Sequence, residues 1–296
     1  MSVVKSLSVG NGDMFYIKHN VDSFTIIDCC LPDDIRTTLI NEIVREKEGK
    51  GIVRFLSTHP DEDHIYGLTA LDDEIGIVNF YCVNNETTKE EETDDFKRYC
   101  RLRDSEKSFS LEKGCSRKWL NSSDDERQGA GITILWPDPT NQTYKDALAA
   151  AKAGEGPNNI SPIIKYSLNG GATILWMGDL EQEFMENIKN DVDLPKVNVL
   201  FAPHHGRKTG TLPTEWLELM SPDIIVMGEA PSEDLDYASY DEFNKITQNS
   251  AGDILFDCID NKVHIYVSNE EYTVDFLDYD QTVANNYYIG TLNLGS

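Results

Sequence analysis

The chain has 296 residues, 40 % of them apolar, with 26 basic and 52 acidic side chains and a net charge of −26. The apolar share suffices for a sizeable core, and no stretch approaches the ~18 uncharged apolar residues of a membrane span. The acidity disfavours sequence-independent nucleic-acid binding, which draws its affinity from neutralised phosphates, unless basic residues cluster locally.

In chain order, residues 3–9 read as a strand, and Gly10, Asn11, Gly12 and Asp13 as a turn. Residues 1–7 lack the apolar region and small-residue cleavage site of a secretory signal, so the expectation is a cytoplasmic protein. Strands are expected at 14–18 and 24–28. A helix is expected over 32–48, where Ile35, Leu39, Ile43 and Val44 share a face. A short buried strand at 53–57, a helix over 68–75 and a strand at 78–83 come next. Residues 85–130 are charge-dense and weakly apolar, and predict a partly helical surface insertion in an otherwise single domain spanning 1–296. Beyond it the pattern gives a strand at 132–136, an Ala-rich helix at 144–153 and a hairpin of 161–168 with 172–177 across Asn169, Gly170 and Gly171. A helix at 181–189, a strand at 197–201, a helix at 213–220, a strand at 224–227, a helix at 240–248 and a closing hairpin around Asn261 complete it. Runs of strands with interspersed helices in both halves predict an α/β architecture, two mixed β-sheets packed face to face with helices outside.

The six cysteines, Cys29, Cys30, Cys82, Cys100, Cys115 and Cys258, form no C-x-x-C pair and read as reduced, mostly buried thiols.

Four of the six histidines, His59, His64, His204 and His205, fall in two short segments, each just after an expected buried strand. His19 and His264 are isolated and read as structural. His59, Asp61, Asp63 and His64 place four metal-binding groups within six residues, and mixed imidazole and carboxylate donors suit zinc, manganese or iron. Gly178-Asp179 and His204-His205-Gly206 bring similar chemistry to two more strand ends, where rigid scaffolds commonly hold functional side chains. Two metals sharing a bridging carboxylate would form a hydrolytic centre, with Asp179 as the candidate bridge.

The order of these motifs resembles the metallo-β-lactamase superfamily, which carries an H-x-H-x-D-H loop, an Asp at a strand end and a late His. Within it, the segment at 58–68 (T-H-P-D-x-D-H-x-x-G-L), the run Asn158, Asn159, Ile160, Ser161, the Gly178-Asp179 pair and His204-His205-Gly206 are similar to the C-terminal hydrolase domain of ComEC-type proteins. The resemblance implies an αββα sandwich holding one or two zinc ions, with manganese an alternative. One metal would take Asp63, His64, Asp179 and His205; the other His59, Asp61 and the bridging Asp179. His204 would face substrate as a phosphate contact or general acid, and Asp61 or Asp63 would orient a metal-bound hydroxide. Two departures stand out. Asp61 replaces the second His of the motif, and no His lies between His64 and His204, so the first site is oxygen-rich. Asn158 or Asn159 is a candidate substitute there, or a turn residue.

The implied reaction is hydrolysis of a phosphodiester, nucleic acid or nucleotide included. The alternatives are hydrolysis of a small ester, amide or thioester, and a subunit active only with a protein partner. Lys97, Arg98, Arg101 and Arg103, or Arg207 and Lys208, are the candidate basic clusters for nucleic acid.

Overall fold

The computed structural model describes residues 1–168, 171–283 and 285–295. The chain opens with an antiparallel meander of β1 (Ser2–Ser6), β2 (Phe15–Lys18) and β3 (Ser23–Ile27). Helix α1 (Arg36–Glu46) leads to β4 (Ile52–Leu56), parallel to β3. Helices α2 (Glu62–Ile65) and α3 (Leu68–Ile75) lead to β5 (Phe80–Cys82), and α4 (Asp94–Arg103) to β6 (Ser108–Ser110), both added in parallel.

The second half runs β7 (Ile132–Trp136), α5 (Gln142–Ala153), β8 (Ile163–Ser167), β9 (Thr173–Trp176), α6 (Gln182–Ile188) and β10 (Val199–Phe201). It continues through α7 (Thr214–Met220), β11 (Ile224–Met227), β12 (Lys245–Thr247) and α8 (Gln248–Ala251) to β13 (Ile254–Ile259), β14 (Lys262–Val267) and β15 (Tyr288–Asn293). The strands form two mixed sheets, ordered β15-β14-β13-β1-β2-β3-β4-β5-β6 and β12-β11-β10-β9-β8-β7.

Side-chain alternation decides what each sheet face meets. On β4, Leu56 joins the core between the sheets, while its neighbour Phe55 joins a second cluster under α1, α3 and α4. The inter-sheet core gathers Val4, Ile17, Trp176, Leu200 and Phe256. The helical side contributes Leu39 and Ile43 of α1 and Leu68 and Leu71 of α3. The parallel strands β10 and β11 are buried at every residue, as parallel strands covered on both faces must be, which explains their unbroken apolar runs. This is the αββα sandwich that the order of strands and helices predicts.

Three segments differ from expectation. The helix expected over 240–248 is absent; β12 lies towards its end, with Ile246 buried and paired in parallel with Val226. Pairing to a buried strand outweighs a weak helical periodicity there. The 85–130 segment does more than cover the surface, since β6 extends the first sheet and Phe96, Tyr99 and Leu102 of α4 are buried against it. No strand was expected at β15, which forms a sheet edge. The hairpin residues Asn169 and Gly170 lie outside the described residues, although β8 and β9 on either side pair antiparallel.

Candidate metal centre

The parallel strands set the site. Strands β9 and β10 run side by side in one sheet and β4 lies in the other, and the segments leaving them carry His59, Asp179, His204 and His205. Asp61 stands at the N-cap of α2, and Asp63 and His64 sit within it. A fourth segment, the turn after β1, brings in Asp13, whose backbone N–H donates to the Asp63 carbonyl at 3.1 Å. Gly12 makes that approach feasible, since a Cβ there would lie 2.6 Å from the Asp63 oxygen.

Asp179 is the hub. Its carboxylate oxygens lie 3.2 Å from His64 Nε2, 3.5 Å from His205 Nε2, 3.6 Å from His204 Nε2 and 3.9 Å from His59 Nε2. Asp63 reaches His205 Nε2 at 3.4 Å, and Asp61 reaches His59 Nε2 at 3.9 Å. The seven residues singled out from the sequence therefore surround one point. Asp13, His64, Asp179 and His205 each bring one ligand-capable atom, and these four atoms all lie within 4.8 Å of one another. Asp13 was missed from the sequence because it reads as an ordinary turn residue, 192 positions from the His205 it touches.

The far nitrogen of each buried ring is already used. His64 Nδ1 pairs with Asp28 Oδ2 at 3.0 Å, and His205 Nδ1 with Asp13 Oδ1 at 3.1 Å. His59 Nδ1 meets the hydroxyls of Thr58 at 3.1 Å and Ser161 at 3.2 Å. The Thr58 backbone N–H and hydroxyl donate to Asp28 at 2.7 and 2.6 Å, which fixes that carboxylate behind its ring. The inward atoms His59 Nε2, His64 Nε2, His205 Nε2 and Asp179 Oδ1 are buried without a hydrogen-bond partner. Unpaired buried polar groups are costly, so four of them converging on one point fit a divalent cation. Backbone strain concentrates at the same place. Asp28, His204 and His205 have φ of 56°, 50° and 56°, left-handed values that non-glycine residues hold only when the surroundings impose them.

Electrostatics tell the same story. Burial works against charge on His64 and His205, but Asp179 with Asp28, and Asp13 with Asp179, more than offset it and hold both imidazoles well above their ordinary pKa. Burial likewise opposes charge on Asp179, yet His64 and His205 keep it well below the carboxylate range. His59 lacks such support, and burial together with the His64 charge lowers it to about 3. The nearby Cys30 thiol is pushed up to about 12 by burial and Asp63, so it stays protonated.

One wall is open. Asp61, Asp63 and His204 keep 35 %, 32 % and 16 % of their side chains exposed, whereas His59, His64 and His205 keep none. Lys89 covers part of this wall. Its ammonium lies 3.4 Å from Asp61 and 3.5 Å from Glu62, over the Phe96 ring. Nothing in its acidic stretch marked it as a site residue. Asn158 and Asn159 are engaged elsewhere, since both amides donate to Glu181 at 3.4 and 2.9 Å. Of the candidate basic clusters, Arg98 is paired with Asp72 and Asp73, Arg103 with Asp104, Lys97 with Asp94 and Arg207 with Asp234, which leaves Arg101 and Lys208 without a carboxylate partner among the described residues.

Two face-to-face mixed sheets with outer helices, and a four-residue metal-binding cluster at their shared edge, define the metallo-β-lactamase fold and are consistent with a metal-dependent hydrolase. The solved structure of Igni18, a metallo hydrolase from the archaeon Ignicoccus hospitalis, matches with a TM-score of 0.51 at 14 % identity, over 86 % of this chain and 99 % of that one. YhfI from Bacillus subtilis, a metallo-β-lactamase fold protein, matches with a TM-score of 0.44 at 10 % identity, over 83 % and 95 % of the two chains. Likeness at such identity is one of fold alone. No protein-family model matches the chain, and no curated protein matches it in sequence. Among the described residues no helix is long and apolar enough to cross a membrane.

Proposed function

We propose that the chain is a metal-dependent phosphodiesterase with one strong metal position. The observation that carries this reading is the convergence of unpartnered, buried Nε2 atoms of His64 and His205 on Asp179, each ring held from behind by a carboxylate. Asp63 would complete a set of two nitrogens and two oxygen donors, which suits zinc or manganese. Asp13 would orient His205 and add negative charge.

The second position, His59 with Asp61 and Asp179, is weaker, because Lys89 already neutralises Asp61. A divalent cation bound here would supply an acidified water near neutral pH and draw charge from the attacked phosphorus. The protein's own residues do the rest. Burial lowers the His204 pKa, so its ring is neutral at pH 7. Its Nδ1 lies 2.9 Å from the Thr209 hydroxyl; in the tautomer in which Nδ1 accepts from that hydroxyl, Nε2 would carry the proton and offer an N–H to a phosphoryl oxygen on the open wall. That favours a phosphate contact over a general acid. Lys89, on the same wall, attracts the anionic substrate. The resemblance of the 58–68 segment to ComEC-type domains favours a phosphodiester over an ester or thioester.

The test is turnover of bis(p-nitrophenyl) phosphate beside p-nitrophenyl acetate, with added manganese or zinc, in wild type and Asp179→Ala. Metal-dependent cleavage of the diester, lost in the variant, is expected. Cleavage of the acetate alone would replace this reading with a carboxylic-ester hydrolase.

A further inference from the structure

The opposite end of the first sheet carries a second recess, of about 570 Å³, between the starts of β4 and β5 and a loop of the 85–130 segment. Its walls include Tyr81, Phe109 and Trp119 together with Arg117, Lys118 and Arg127. In a chain with two acids for every base, this lining holds three cations and no carboxylate.

The charges are only partly answered. Asp124 lies 3.2 Å from Lys118, and Asp22 lies 3.0 Å from Arg127. Arg117 has no carboxylate partner among the described residues; its guanidinium rests 5.0 Å over the Phe109 ring. Arg127 stands 5.0 Å over the Trp119 ring. Behind Tyr81 and Trp119 sits Arg54, only 1 % exposed. Its guanidinium donates to the Trp119 carbonyl at 2.9 Å and to the hydroxyls of Thr25 and Ser23 at 3.1 and 3.4 Å. Its Nε is buried without a partner, and no carboxylate pairs with it among the described residues. A buried cation without a counter-charge is a large electrostatic cost that folding alone does not explain. Trp119 itself has φ of 64°, rare for so bulky a side chain.

We propose that this recess binds a small ligand bearing an oxyanion on a planar ring, with Arg117 and Arg127 holding the anion and Phe109 and Trp119 the ring. Planar guanidinium forks match oxyanions bidentately and stack on rings, so one pair of arginines serves both ends of such a ligand. The buried Arg54 charge adds a fixed positive field. The site lies away from the metal cluster and does not depend on its chemistry.

Naphthalene-1-sulfonate, which has no hydrolysable ester, is a suitable probe, with 1-naphthol as its uncharged counterpart. Calorimetric titration of the full chain should show 1:1 binding of the sulfonate and at least about tenfold weaker binding of the naphthol. Of the four tryptophan indole signals in nitrogen–proton spectra, that of Trp119 should move. Arg117→Ala, at an exposed position that should not disturb folding, should weaken binding about tenfold. Asp179→Ala should leave it unchanged, which separates this site from the metal centre. Equal binding of sulfonate and naphthol, or full sulfonate affinity in both Arg117→Ala and Arg127→Ala, would overturn the proposal.

Discussion

At the scale of single residues, the account turns on carboxylates that aim imidazoles. Asp13 and Asp28 hold the Nδ1 atoms of His205 and His64, leaving both Nε2 atoms to face Asp179. Asp13→Asn keeps the size and removes the charge. It should weaken zinc or manganese binding about 10- to 100-fold, as loss of a supporting carboxylate commonly does. Competition against a chelator reads this directly, and an unchanged affinity would leave Asp13 as a turn residue only. Asp179 with Asp28, and Asp13 with Asp179, raise the His64 and His205 pKa values, so in the metal-free protein each ring keeps its proton at neutral pH. A cation must displace those protons from Nε2. Affinity therefore rises with pH and falls as acid restores them, and loading at pH 7 should release about two protons. Calorimetry in buffers of different ionisation enthalpy counts them, and zero release would contradict the ligand assignment. The sequence displayed His59, Asp61, Asp63 and His64 because they share one short loop. Asp13 and Lys89 were invisible because nothing local distinguishes a turn aspartate or a lysine among glutamates from their solvated counterparts.

At the scale of elements, strand ends placed the chemistry and were the readable part. The strands leading to Asp179 and His204 end in continuous apolar runs, the one leading to His59 is apolar except for Arg54, and the structure has β9, β10 and β4 there. The stretch 240–248 misled, since its sole buried strand residue, Ile246, gives too short an alternation to separate from a helix. The junction after β9 is tight. Gly178 has φ of 52°, and a Cβ there would stand 2.6 Å from Ser161 Oγ and 2.9 Å from Thr58 Cβ. Gly178→Ala should lower stability by about 2–4 kcal/mol from left-handed strain plus overpacking. By displacing Asp179 it should also cost the protein its metal. Denaturant unfolding measures the first effect, and wild-type stability in the variant would show that the junction relaxes freely.

At the scale of the whole molecule, the two sheets make one layered core with the metal cluster at one edge and a cationic recess at the other, set in a surface of net charge −26. That field repels an anionic diester as it approaches. Screening should relieve the repulsion, so kcat/KM for bis(p-nitrophenyl) phosphate should rise about two- to fivefold between about 10 mM and about 150 mM salt, while a neutral ester stays flat. A fall with salt would mean that Lys89 and other local cations dominate the approach.

The most direct test of the metal centre is bound metal per chain, by plasma mass spectrometry, in wild type, His205→Ala, Asp179→Ala and His59→Ala. The account predicts about one equivalent in wild type, lost in His205→Ala and Asp179→Ala and retained in His59→Ala. Metal that survives His205→Ala but not His59→Ala, or a wild type that takes up none from zinc or manganese, would contradict it.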